Sequence, residues 1–154
     1  ATIRIAELTG MAPTKIEAAE ISQAFSTGAV ESMITSPTTG KNSKIWENGV
    51  GYFYDIAAWF PKNMVIVNKD AWNKLDSATK KIVMSEAAVA EKKGWELSKK
   101  GNVADKKALA DAGMKVGKVN SALEKHFQKV GATMADEWKA KAGSRGASVL
   151  AAYK

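Results

Sequence analysis

The ten residues Gly28-Ala29-Val30-Glu31-Ser32-Met33-Ile34-Thr35-Ser36-Pro37 read as a helix end, a short apolar strand and a polar tip, and that reading decides the fold. A glycine after an amphipathic run supplies the left-handed residue that closes a helix. Ala29 to Ile34 is short and mostly apolar, as suits a strand in a covered sheet. Thr35 and Ser36 then present hydroxyls where Pro37 turns the backbone, and strand tips are where α/β sheets meet their ligands. Thr-Ser-Pro is also an ordinary turn, so the tip stands between a ligand contact and a simple reversal.

Upstream, helix-like residues run from Thr2 to Thr9 and end at Gly10, Pro13 to Ile16 fits a short strand, and Ala18 to Thr27 fits an amphipathic helix. Downstream, Thr38 to Glu47 suits a helix with Ile45 and Trp46 turned inward, closed by Asn48-Gly49. Val50 to Phe60 is rich in aromatic and β-branched residues and is interrupted by Pro61. Met64-Val65-Ile66-Val67, four large apolar residues between polar boundaries, is the pattern of a strand covered on both faces. Alternation of this kind predicts an α/β lobe, a short sheet flanked by helices.

After the link Asn68 to Leu75, the pattern changes. Val83, Ala87, Ala90, Gly94, Leu97, Gly101, Ala104 and Ala108 recur every third or fourth residue, the seam of one helix face. A helix over about 76–112 follows, roughly 50 Å long at 1.5 Å per residue, more than a small lobe requires. The small seam residues suit close packing against a second layer. Gly113 ends the helix, a strand is expected over 114–119, and Ser121-Ala122-Leu123-Glu124 has the form of a capping box for a further helix. Phe127, Val130, Met134 and Trp138 form that helix's apolar face, and Gly143 ends it. We divide the chain into an α/β ligand-cleft lobe over 1–75 and, over 76–154, the long spanning helix, the short strand and C-terminal helices.

Composition limits function. Of the 154 residues 45% are hydrophobic and 25% charged, the balance of a soluble globular protein, and no apolar run is long enough to span a membrane. Cysteine is absent, which excludes thiolate metal sites and cysteine nucleophiles. The net charge of +7 belongs to the second half: residues 1–68 balance to −1 and 69–154 to +8. There the Lys-Lys pairs at 80–81, 92–93, 99–100 and 106–107 are mixed with Glu86, Glu91, Glu96, Asp105 and Asp111, the pattern of a solvated helix face. A nucleic-acid groove would combine Arg with stacking aromatics, so a basic module for an anionic polymer is the alternative reading and not the preferred one.

No arrangement of residues supports catalysis. His126 is the single histidine and precedes the inward Phe127, as a surface residue would. The acidic residues lack calcium-loop spacing, and 101–107 lacks the glycine pattern of a phosphate loop. No enzyme activity, metal or cofactor is expected. Trp72 and Trp138 occupy apolar helix positions and read as core. Trp59, before Phe60-Pro61, reads as core or as the wall of a ligand crevice.

Taken together, Arg4-Ile5-Ala6-Glu7-Leu8-Thr9-Gly10, Pro13-Thr14-Lys15-Ile16, the helix to Thr27-Gly28, the segment Ala29 to Pro37 and Val67-Asn68-Lys69-Asp70-Ala71-Trp72-Asn73-Lys74-Leu75 resemble the extracytoplasmic solute-binding proteins of TRAP transporters. The resemblance runs through nearly the whole chain but covers only the C-terminal half of such a protein. It implies a periplasmic carrier in which two lobes close on a small organic acid and deliver it to the TRAP membrane permease. It also implies that the long helix spans both lobes. Thr35 and Ser36 become hydrogen-bond donors to the acid, with Trp59 and Asn63 as further ligand-binding candidates. The arginine that pins the carboxylate in this family would lie before the position of Ala1, and Arg4 falls in the helix after it. Charge-assisted hydrogen bonds are worth about 1.5–3 kcal/mol each, so this chain alone is expected to bind ligand poorly. It is also expected to expose apolar surface along the helix seam and the Val50 to Phe60 strand, which a homodimer or a swapped element can cover.

Overall fold

A computed structural model describes residues 1–58, 61 and 63–153. Helix α1 spans Thr2–Leu8, α2 Ile21–Ser26, α3 Pro37–Asn42, α4 Lys69–Asn73, α5 Ser77–Asp111 and α6 Ser121–Ala152. Short 3₁₀ helices at Ala18–Glu20 and Ile45–Asn48 precede α2 and follow α3. Strands β1, Tyr52–Tyr54, and β2, Lys115–Gly117, pair in parallel with Phe53 opposite Val116. A parallel pair requires a crossover, and the chain between β1 and β2 contains α5. This is the helix-flanked short sheet that the alternating pattern implies.

The core forms where α3, the C-terminal third of α5 and the sheet converge. Ile45, Leu109 and Met114 are its buried centre, with Ile21, Met33, Trp46, Val50, Phe53 and Val116 packed around them. Phe53 and Val116 face inward together because alternate residues of a strand share a face, which leaves Tyr52 and Tyr54 exposed and stacked, 6.3 Å between ring centroids. At the other end of the chain α1 packs on α6, where Arg4 Nε donates to a Glu137 carboxylate oxygen at 3.0 Å.

Helix ends follow local chemistry. Gly10, Gly28 and Gly113 take positive φ after α1, α2 and α5, as the sequence signals predict. Asp76 caps α5 by accepting from Thr79 N–H at 2.9 Å. The expected capping box of Ser121 is replaced: Asn120 is the cap, accepting from Leu123 N–H at 2.9 Å, one residue earlier than the pattern indicated. Gly143, at φ 63 and ψ −148, breaks α6 as expected, and beyond it Gly146 approaches the Trp138 ring. Trp138 is nevertheless 45% exposed and not core.

Three expected strands are absent. Pro13–Ile16 and Ala29–Ile34 are irregular, and Met64–Val67 is not paired with any described strand. For 29–34 the apolar side chains are used differently: Met33 packs on the core, while Val30 N–H bonds to Ala24 C=O at 3.2 Å, across the Gly28 turn and not across a ladder. Met64 to Val67 are 76%, 105%, 84% and 59% exposed. A buried strand needs sheet neighbours on its edges and cover on its faces, and neither β1 nor β2 reaches it. Of the described part of the strand-like run, 50–58, only β1 is strand, and Ala57 takes φ 45 shortly after it, outside extended geometry. Helix α5 matches its predicted length, but residues 81–100 are all exposed, so the seam packs only toward its C-terminal end.

Candidate functional site

Thr35 and Ser36 lie side by side where the irregular segment enters α3. Ser36 is the cap of that helix: its hydroxyl accepts from Thr39 N–H at 3.1 Å and shares a hydrogen bond with Thr39 Oγ1 at 3.1 Å. Pro37 follows at the first helical position, where its missing N–H costs nothing and its fixed φ suits the helix. Ser36 is exposed and Thr35 half-buried. A capping hydroxyl on an exposed turn retains a lone pair for a further donor and can still meet a ligand oxygen through a rotated O–H. The two hydroxyls therefore sit together at a helix-capping turn that follows an irregular segment and not the expected strand.

The other sequence candidates are less closely tied. Asn63 is exposed, outside any helix or strand, and among the described residues no hydrogen bond joins it to Thr35 or Ser36. Trp59 lies outside the described residues. Between β1 and α6 there is an open depression of about 280 Å³, lined by Ile56, Ala57, Ala58, Val119, Phe127 and Gly131 with Glu124 and Gln128 at its side.

One group that the sequence reading assigned to the solvated face of α5 is buried. Asp105 is 6% exposed and is the buried charged residue among those described. Its carboxylate accepts from Thr38 Oγ1 at 2.6 Å and from Lys41 Nζ at 2.5 Å, both on α3. Those two hydrogen bonds, Lys41 first, hold the Asp105 carboxyl below the usual carboxylate range against the opposing effect of burial. The available signal was positional: Asp105 is one turn before the buried Leu109 and beside the seam residue Ala104.

Arg4 is engaged elsewhere. Its guanidinium donates to Glu137 and to Glu7, which pushes its already high pKa further up and holds the Glu137 carboxyl below its ordinary range. It lies in α1, where it ties that helix to α6. Two of the eight lysines of α5 are also paired among the described residues: Lys106 Nζ donates to Asp55 at 2.6 Å and Lys107 Nζ to Asp111 at 2.7 Å. Among the described residues no group of three or more His, Cys, Asp or Glu side chains could hold a metal ion, and no helix is long and apolar enough to cross a membrane.

The family model of the bacterial extracellular solute-binding proteins, family 7 (DctP), matches residues 1–141. The chain is similar to DctP6 of Bordetella pertussis, an extracytoplasmic solute receptor whose structure was determined binding pyroglutamic acid, with 40% identity over 99% of this chain and 50% of that one and a TM-score of 0.93. It is similar at 38% identity to DctP7 of the same organism, also a receptor binding pyroglutamic acid, over 98% of this chain and 50% of that one with a TM-score of 0.92. A TRAP solute-binding protein from a marine metagenome, specific for pyroglutamate and crystallised with co-purified pyroglutamate, matches at 33% identity over 99% of this chain and 50% of its own, with a TM-score of 0.91. No curated protein matches significantly. The chain spans about half the length of the solved receptors it resembles. Its helix-rich lobe, its two-stranded parallel sheet and its unbroken likeness to three solute receptors agree with the family model, and the chain belongs to the bacterial extracellular solute-binding proteins of family 7.

Proposed function

We propose that this chain forms one part of a TRAP-type receptor that captures a small organic acid, of the class of pyroglutamate, and delivers it to a membrane permease. The observation that carries the reading is the 40% identity to a pyroglutamate receptor over 99% of this chain. Residues 1–75 contribute the ligand-facing lobe and 76–154 the spanning helix and C-terminal elements. Thr35 and Ser36 donate hydrogen bonds to the acid, and Trp59 and Asn63 contribute to the same cleft. Closure follows the hinge logic of two-lobed receptors: the ligand stabilises the closed shape, and only that shape docks productively. By itself the chain self-associates through its exposed apolar residues. Against the polymer-binding alternative, one of the four Lys-Lys pairs of α5 is engaged, Lys106 with Asp55 and Lys107 with Asp111.

The test is thermal unfolding with L-pyroglutamate, for this chain and for a receptor of the relatives' full length that contains it. Ligand at a hundredfold over its Kd stabilises by about 2.7 kcal/mol. Stabilisation of the full-length receptor is expected, with a much weaker response from this chain. No response from either, across pyroglutamate and other small carboxylates, would overturn the reading.

A further inference from the structure

We infer that Asp105 is a positioning residue for the Thr35–Ser36 tip: from the long helix it grips the first turns of α3 and so fixes where the two hydroxyls point. The inference rests on the reading of Thr35 and Ser36 as ligand donors. Among the described residues, the irregular segment before the tip is anchored by Met33 packing on the core but by no backbone hydrogen bond of residues 31–35. Its last backbone hydrogen bond before α3 is Val30 N–H to Ala24 C=O, and the next is Gly40 N–H to Ser36 C=O at 3.1 Å, inside the first turn of the helix. The tip is therefore located by α3, which it caps through Ser36.

Helix α3 has only six residues, too few to be stable alone. Its placement comes from α5 through two kinds of contact. Gly40 brings the α3 backbone close to Ile45 and Leu109, an apolar contact that sets distance but tolerates rotation about the helix axis. Asp105 removes that freedom. Thr38 and Lys41 are three residues apart, on one side of α3, and each donates to a different oxygen of the same carboxylate, Thr38 to Oδ2 and Lys41 to Oδ1. Two bonds from one helix face to one planar group define an orientation that a single apolar contact cannot. Thr38 is two residues from Ser36 and three from Thr35, so a rotation of α3 is transmitted directly to both hydroxyls. A buried carboxylate is costly unless fully paired, and an apolar residue beside Leu109 would serve packing alone. The geometry gives the charge a directional task.

The experiment is amide hydrogen exchange by NMR on the full 154-residue chain at one pH, comparing wild type with Asp105→Asn and Thr38→Val, each then titrated with L-pyroglutamate. Thr38→Val removes one bond from an exposed position with little change of shape, and so stands in if Asp105→Asn does not fold. The expected result is exchange at least tenfold faster for the amides of 39–44, with shifted Thr35 and Ser36 resonances, while α6 amides over 124–140 keep their rates. Unchanged tip amides in the variants would overturn the proposal. So would equal acceleration in α6 and in β1 and β2, which would make the contact a matter of global stability. If wild type responds to L-pyroglutamate at the tip, the affinity of the variants should fall at least fivefold, and equal affinity would overturn the positioning role. If the wild-type chain shows no response while the variants loosen the tip, the Asp105 grip on the tip stands, and the organic-acid reading is decided by the same titration of a receptor of the relatives' full length.

Discussion

Gly40 lies against Leu109 so closely that a Cβ placed on the glycine would stand 3.6 Å from Leu109 Cδ2 and 3.1 Å from Ile45 Cδ1. Leu109 is fully buried and belongs to the same cluster as Ile45 and Met114. A side chain at position 40 would wedge α3 from α5, and interiors packed to crystal density do not absorb such a volume without strain. Gly40→Val should therefore destabilise by about 1–3 kcal/mol, and Leu109→Ala, by opening a cavity on the other side of the contact, by about 2–5 kcal/mol. Urea unfolding monitored by circular dichroism measures both. A neutral Gly40→Val would show that α3 does not rest on this contact.

The start of α6 supplies a second expectation. Asn120, not Ser121, accepts from Leu123 N–H, so Asn120→Ala should lose about 1 kcal/mol while Ser121→Ala changes stability by only a few tenths. The same unfolding assay ranks the two variants. The reverse order would restore the capping box that the sequence suggested.

Much of this architecture is legible in the residues because its signals are local. Gly28 and Gly113 terminate helices at positive φ, Asp76 opens α5, and the recurrence from Val83 to Ala108 gives that helix its length. Ile45 and Trp46, expected inward on a helix over Thr38 to Glu47, do join the core, although that helix is divided into α3 and the 3₁₀ turn Ile45–Asn48. The errors of strand and burial share one cause, that burial is a property of neighbours. Met64 to Val67 carry the composition of a covered strand, yet no described strand lies alongside. Asp105 carries a charge that reads as solvated until the fold brings Lys41 to it across 64 positions of chain. The polar tip was found from Pro37 and its preceding hydroxyls, but the strand expected before it depended on a sheet that has only two described strands.

Acid should destabilise the chain through three carboxylates. Asp105, beside Lys41 and Thr38, Asp76, hydrogen-bonded by the Thr79 side chain and backbone, and Glu137, beside Arg4, all have folded pKa values below their ordinary ones. A lowered folded pKa gives stability that is fully present above the unfolded value, about 4, and is lost as pH falls through the folded value. Stability from these groups should therefore be level from pH 7 to about 5 and fall below about 4. Urea midpoints at a series of pH values measure the profile, and Glu137→Gln and Asp76→Asn should each flatten it. Added salt should weaken the Glu137 contribution, since both partners of that pair are more than 40% exposed. A midpoint that rises between pH 5 and 3 would contradict the assignment.

The exposed apolar surface gives an expectation that depends on what accompanies the chain. Ile66 is 84% exposed, Val65 is fully exposed, and Ile82, Met84, Trp95 and Leu97 on α5 are each about 60% exposed. An extended apolar segment with free edge groups is a template for pairing with another strand. In this chain alone, Ile66→Ser removes nothing buried and should change stability by less than about 0.5 kcal/mol, while lowering self-association measured by light scattering across a concentration series. In a receptor of the relatives' full length the same substitution should cost about 1.5–3 kcal/mol, the value of burying a large aliphatic side chain, because the segment there becomes the covered strand its composition describes. The contrast between the two contexts is the measurement. Equal, small effects in both would mean that 64–67 stays exposed in the longer protein, whereas a large loss in the short chain would mean that the segment is already packed there.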